Sequence, residues 1–329
     1  MRTRRRLLFV SIMGIVAACG SRTELLVPAE QAPADAAPDV VHHDAREAEA
    51  DAPEEDVLPP IDVSPPVDVA SDCPDAASTL IYVISLDNSL YSFYPPSGTF
   101  TLIGTISCPV ANPGDEPFSM AVDRTGIAYT VFTNNDPALG GELFRVSTAT
   151  ASCQPTTYQA NQNALFHTFG MGFSQDAIGT GETLYVSGQP ANQASTPDEL
   201  GSIDTTTYAL RDIGPLNPIE QGAELTGTGA GDLFAFYQTD PMTQIMAIGQ
   251  LDKTTGNIVG QTPLPTVGIR GQGWAFAFWG GDFYMFTAPN DVNSIVTRYR
   301  PSDGTVVQVA TASDVIVGAG VSTCAPQAQ

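Results

Sequence analysis

A short strand-like run carrying an aromatic residue returns five times along this 329-residue chain: Leu80-Ile81-Tyr82, Ile127-Ala128-Tyr129, Thr183-Leu184-Tyr185, Asp232-Leu233-Phe234 and Asp282-Phe283-Tyr284. The aromatic positions stand 47, 56, 49 and 50 residues apart, so the chain beyond residue 78 is assembled from near-equal units. Each run reads as a strand that ends at its aromatic. A second strand follows each one, at Leu90–Tyr94, Leu143–Val146, Leu200–Ile203, Ile248–Leu251 and Val296–Tyr299. A glycine-bearing turn comes next, most plainly Pro96-Ser97-Gly98, Thr254-Thr255-Gly256 and Ser302-Asp303-Gly304. An outer strand then closes the unit, as in Thr99–Ile106 or Val306–Ala310. No segment carries a 3.6-residue apolar stripe, so the units are β throughout.

A strand of small and apolar residues also precedes the second to fifth aromatic positions: Phe118–Val122, Phe169–Phe173, Leu225–Gly229 and Trp274–Phe278. The first unit has none, yet a strand of that type stands alone at the C-terminus, Val315–Val321. Four strands per unit, offset by one strand between the two ends, resembles a β-propeller with Velcro closure. That implies an all-β ring of five four-stranded blades, in which the last strand of the chain becomes the innermost strand of blade 1. Gly170, Gly172, Gly227, Gly229, Gly318 and Gly320 crowd the inner strands, where five blades converge on a narrow axis. Trp274-Ala275-Phe276-Ala277-Phe278 alternates large and small residues, giving its strand one bulky and one shallow face.

The N-terminus has a different character. Arg2, Arg4, Arg5 and Arg6 precede an apolar run, Leu7 to Val16, too short to span a bilayer core of ~30 Å. Small residues then lead into Val16-Ala17-Ala18-Cys19. This resembles the bacterial lipoprotein lipobox, which implies a signal peptide over residues 1–18, cleavage before Cys19 and attachment of lipid to its thiol. Residues 19–75 follow as a tether: positions 20–75 hold nine prolines, 15 acidic and two basic residues and no aromatic, so they are expected to be disordered. The propeller domain takes residues 76–329. The stretch Ala18-Cys19-Gly20-Ser21-Arg22-Thr23-Glu24-Leu25 with its acidic Pro/Ala tether resembles predicted lipoproteins of myxobacteria and related bacteria. That resemblance implies envelope anchoring and no particular activity. Gly20 stands where Asp would mark inner-membrane retention, which points to the outer membrane.

A net charge of −23 repels nucleic acid and anionic headgroups, so membrane attachment is expected through lipid on Cys19 alone. Setting Cys19 aside leaves Cys73, Cys108, Cys153 and Cys324, an even number that reads as two disulfides in an exported protein. Ring closure brings Cys324, at the end of the last inner strand, beside Cys73, just ahead of its antiparallel neighbour. Cys108 and Cys153 then pair by elimination.

Catalytic signatures are sparse. Gly227-Thr228-Gly229-Ala230-Gly231-Asp232 lacks the lysine of a phosphate loop and runs into a strand, so it reads as an inner strand and tight turn. Glycosidases on five-bladed propellers need two facing carboxylates. Glu116, Asp123, Asp176, Glu224 and Asp314 lie near inner strands, with Asp123 and Glu224 the catalytic candidates. The expected positions divide them between two rims. His167 has no nucleophile elbow to serve. Asp252-Lys253-Thr254-Thr255-Gly256 resembles the hairpin of quinoprotein-type repeats without their tryptophan, so no cofactor is expected. His42-His43 and the cysteine spacing give no metal site. Of the aromatic cluster Trp274, Phe276, Phe278, Trp279 and Tyr284, the turn residue Trp279 is expected to be the exposed one. The reading that follows is a binding or scaffold module for protein or glycan at the rim, with a carbohydrate-active enzyme as the alternative.

Overall fold

The computed structural model describes residues 80–328 apart from 135, 137, 179–180, 192–197, 240–241, 243 and 269–270. Cys19, Cys73, the signal segment and the tether therefore lie outside the described residues. Twenty strands fall into five four-stranded antiparallel sheets. Blade 2 contains β4 (Glu116–Val122), β5 (Ile127–Thr133), β6 (Glu142–Ser147) and β7 (Cys153–Pro155). Blade 3 contains β8 (Thr168–Gln175), β9 (Glu182–Gln189), β10 (Glu199–Ile203) and β11 (Leu210–Pro215). Blade 4 follows with β12 (Ala223–Gly227), β13 (Leu233–Gln238), β14 (Met246–Leu251) and β15 (Ile258–Leu264). Blade 5 has β16 (Trp274–Trp279), β17 (Asp282–Thr287), β18 (Ile295–Arg300) and β19 (Thr305–Thr311).

Blade 1 takes β1 (Ile81–Ser85), β2 (Ser89–Tyr94) and β3 (Thr99–Thr105) from one end of the domain and β20 (Ile316–Val321) from the other. The two ends meet antiparallel, Ile81 opposite Val321 and Val83 opposite Ala319, which is the expected Velcro seam. The inner strands β20, β4, β8, β12 and β16 touch in that cyclic order and close back on β20. The five-bladed propeller is thus as the repeat implies.

Two details differ from the sequence reading. The aromatic runs open their strands and do not end them, because Tyr82, Tyr129 and Phe234 sit one or two residues after the strand begins. Strand β12 ends at Gly227, two residues earlier than expected. The Thr228 hydroxyl takes the backbone N–H groups of Ala230 and Asp232 and turns the chain there.

Five apolar clusters fill the ring, one in each gap between blades. Alternation along a strand explains this directly. Ile81 and Val83 face blade 5, whereas Tyr82 and Ile84 face blade 2. In β16 the large residues Trp274, Phe276 and Phe278 fill the blade 4 side and Ala275 and Ala277 the blade 1 side. The shallow alanine face receives Phe93, Tyr284 and Phe286 from its neighbours.

The inner-strand glycines are there because backbone meets backbone. A Cβ on Gly170 would stand 2.0 Å from the Ala223 carbonyl oxygen, and one on Gly320 would stand 2.7 Å from the Val122 nitrogen. The same contacts give the strand direction: Gly170 meets Ala223, Gly172 meets Leu225, and Phe173 meets Gly227, so neighbouring inner strands run parallel. All five begin at one rim, here the upper, and end at the lower.

Cys108 and Cys153 form a disulfide with Cα atoms 5.2 Å apart, joining the end of blade 1 to the short outer strand of blade 2. Their 45-residue separation predicts a loss of about 4 kcal/mol in the loop-entropy model when both are replaced by alanine, less any relief of native strain. Denaturant unfolding under non-reducing conditions checks this. Cys324 is also disulfide-bonded, and its expected partner Cys73 lies outside the described residues.

Candidate functional site

The C-terminal segment covers the lower end of the ring, and a cavity opens at the upper rim between blades 1, 2 and 5. After β20 the chain turns across the lower mouth. The Thr323 carbonyl packs on Gly229 of blade 4, and the Gly280 amide of blade 5 donates to the Pro326 carbonyl at 2.7 Å. Arg124, just below β4, donates through its guanidinium to the Thr323 hydroxyl at 3.2 Å. That hydroxyl donates to Glu182 at 2.6 Å, and the other Glu182 oxygen accepts from the Arg124 backbone amide at 2.7 Å. Burial raises the Glu182 pKa, while Thr323 and Arg124 oppose the shift. Blades 1, 2 and 3 are thereby tied together beneath the axis.

Midway up, Glu224 reaches across the ring. It is 1 % exposed, and its Oε2 accepts from the Ser119 hydroxyl at 2.7 Å, although β4 and β12 belong to blades that are not adjacent. The Ser119 oxygen accepts in turn from the Met171 backbone amide of β8 at 3.1 Å. Thr226 of β12 serves the Phe278 amide of β16 in the same way at 3.0 Å. Inner strands leave one edge unpaired, and these hydroxyls satisfy part of it. Glu224 Oε1 has no hydrogen-bond partner. Its pKa is held well above the usual carboxylate range, first by loss of solvent, with the Ser119 hydrogen bond opposing.

Above this throat lies a cavity of about 430 Å³, lined by Leu86, Gly114, Glu116, Pro117, Phe118, Thr133, Asn134, Gln272, Trp274 and Val317. It is a funnel walled by blades 1, 2 and 5. Phe118 is the extra residue of a β-bulge, because Pro117 pairs with Phe132 and Ser119 with Val131. A bulge re-aims a side chain, and this one brings the ring to the funnel wall while Ser119 turns toward the axis. Asp291 accepts from the Gln272 amide at 2.6 Å and fixes that side of the mouth.

The carboxylates singled out in the sequence do not converge. Glu116 lines the funnel, Glu224 lies at the throat, and Asp314 is at the upper rim with Tyr91 donating to it at 2.6 Å. Asp123 and Asp176 are at the lower rim. Asp123 Oδ1 accepts from the amides of Thr125 and Ile127 at 2.8 and 3.0 Å and shapes the β4–β5 turn. Asp123 and Glu224 thus stand toward opposite ends of the inner strands. His167 is buried before β8, where burial lowers its pKa. Among the described residues no group of three His, Cys, Asp or Glu side chains could hold a metal ion.

Trp279 departs from expectation: it is 6 % exposed and packs against Tyr94, with ring centroids 6.4 Å apart. The C-terminal segment lies on the turn that follows it. Trp274 is the tryptophan at the funnel. Sequence reasoning missed Ser119, Asn134 and Gln272. The bulge that positions Ser119 and Phe118 has a trace in the chain, since Pro117 removes a ladder donor at that point.

No protein-family description and no curated protein matches the sequence. Solved structures with similar backbones include a nidogen/laminin complex, 11% identical over 73% of this chain and 97% of that one, TM-score 0.45. A thermostable family-43 glycoside hydrolase is 12% identical over 62% of this chain and 75% of its own, TM-score 0.44. TolB from Acinetobacter baumannii is 13% identical over 72% of this chain and 54% of its own, TM-score 0.41.

Proposed function

We propose that this chain is an envelope lipoprotein, anchored at the outer membrane through Cys19, whose propeller binds protein or glycan at its upper rim. One observation carries the binding half: among the described residues, the upper rim holds a funnel lined by two aromatic side chains, two side-chain amides and a single carboxylate, Glu116. Aromatic faces with a few converging polar groups suit recognition. Hydrolysis of a glycosidic bond needs a second carboxyl within about 5–10 Å on the opposite side of the substrate, and the funnel lining has none. The anchoring half rests on the lipobox and on the Cys108–Cys153 disulfide, which suits an oxidising compartment.

Replacing both Phe118 and Gln272 with alanine is expected to lower binding of the mature chain to isolated envelopes at least tenfold, with folding retained. Unchanged binding would remove the funnel from the account. Mass spectrometry of the mature N-terminus checks the anchor, and the expected peptide begins at a diacylated Cys19. An unmodified peptide starting upstream of Cys19 contradicts it.

A further inference from the structure

The cations of this domain are distributed unevenly between its two rims. Arg124, Arg145, Arg211, Lys253, Arg298 and Arg300 all lie in the lower half of their strands or in lower-rim turns. No described Arg or Lys belongs to the upper rim; Arg270, which precedes β16 in sequence, lies outside the described residues. Carboxylates stand at both rims, but the six cations offset those below, whereas Asp87, Glu116, Asp136, Glu142, Asp291 and Asp314, in the upper connections or at the upper ends of strands, face no described cation of their own rim. Low-dielectric walls focus such a field into a cleft and attract the opposite charge.

The funnel at the centre of this face has matching chemistry. Trp274 and Phe118 bring aromatic side chains to its lining, Glu116 a carboxylate, and Gln272 a side-chain amide, while the Asn134 carbonyl is held by the Asp136 amide at 2.8 Å. A cation over an aromatic face contributes about 0.5–2 kcal/mol, more as water is excluded. Val292, 70 % exposed on the upper connection of blade 5, adds an apolar contact at the periphery.

We infer that the upper face docks a basic partner, and that the funnel receives an arginine or lysine side chain of that partner between Trp274, Phe118 and Glu116. The inference rests on the proposed role of this rim and adds the chemistry of what it binds. The carboxylates supply steering that falls with salt, and the funnel supplies specificity.

The chain has two tryptophans, so Trp279→Phe leaves Trp274 as the sole reporter at the funnel. Titration of that full-length variant with tri-arginine peptide is expected to give a saturable change in Trp274 emission. The apparent Kd should rise at least tenfold with Glu116→Gln and at least threefold between 20 and 200 mM salt. Asp252→Asn with Asp303→Asn, on the lower rim, should leave it within twofold. If Trp279→Phe does not fold, the Trp274 indole proton resonance of the wild-type chain gives the same readout. No saturable change, or equal binding by Glu116→Gln, overturns the inference. Neutral oligosaccharides from the envelope are titrated in parallel. If they bind where tri-arginine does not, only the basic-partner inference fails, and if neither binds the rim reading fails with it.

Discussion

Gly170→Ala is expected to destabilise the propeller by about 3 kcal/mol or more, at the upper end of what overpacking a core does. The added methyl would stand 2.0 Å from the Ala223 carbonyl oxygen and 3.1 Å from the Glu224 Cα, both of them backbone atoms of the next blade. A flexible side chain could swing aside, but a strand paired into blade 4 cannot. Blades 3 and 4 must separate, and every gap in a closed ring then shares the displacement. For a domain of this size the melting temperature should fall by roughly 10 °C. Gly260→Ala is the control, because nothing lies within 4 Å of where its Cβ would be. Calorimetry of both variants decides the matter, and similar melting temperatures would mean the inner strands are not packed backbone to backbone.

Glu224→Gln is expected to act in the opposite direction at neutral and alkaline pH. The folded state holds this carboxyl protonated to a higher pH than the unfolded chain does, because the group is buried and only one of its oxygens is partnered. The stability tied to that proton is fully present below the unfolded pKa of about 4.3 and is lost as pH rises through the raised folded value. No charged group contributes to the shift, so the slope belongs to burial and to Ser119. The amide keeps an acceptor for the Ser119 hydroxyl and never ionises. The variant should therefore exceed the wild type by about 1–3 kcal/mol at pH 8, the scale of an unsatisfied buried polar group, and lose that advantage near pH 4. Denaturant melts at the two pH values test it. A variant less stable than the wild type at pH 8 would show that Glu224 makes a favourable charged contact.

Blade number and closure were legible because both rest on periodicity. The five aromatic runs and the lone C-terminal strand Val315–Val321 are properties of spacing, and spacing survives in a sequence. The inner-strand glycines were legible for a similar reason, since crowding at an axis forbids side chains at particular positions. Strand limits were less so. The aromatic runs look like strand ends but open their strands, because the residues that follow are apolar as well and the period-2 signal does not mark where pairing starts.

The site was harder to read. Glu224 and Ser119 are 105 residues apart, and only the closed ring brings them together across the axis. Trp279 looked exposed because it precedes Gly280-Gly281, yet the C-terminal segment folds back over that turn. Asp123 stands out by its place after an inner strand, and only the structure shows its carboxylate accepting from the Thr125 and Ile127 amides of the turn. Burial by a distant segment and capping by a local one leave the same residue in the sequence.

Diazirine-bearing residues placed at Phe118 and Gln272 on the upper rim, and at Thr254 and Asp303 on the lower, locate the partner-binding face in living cells. Covalent adducts with an envelope component are expected from the two upper positions and none from the lower pair. Adducts from the lower positions alone, or equally from all four, would mean that the partner does not dock at the upper rim.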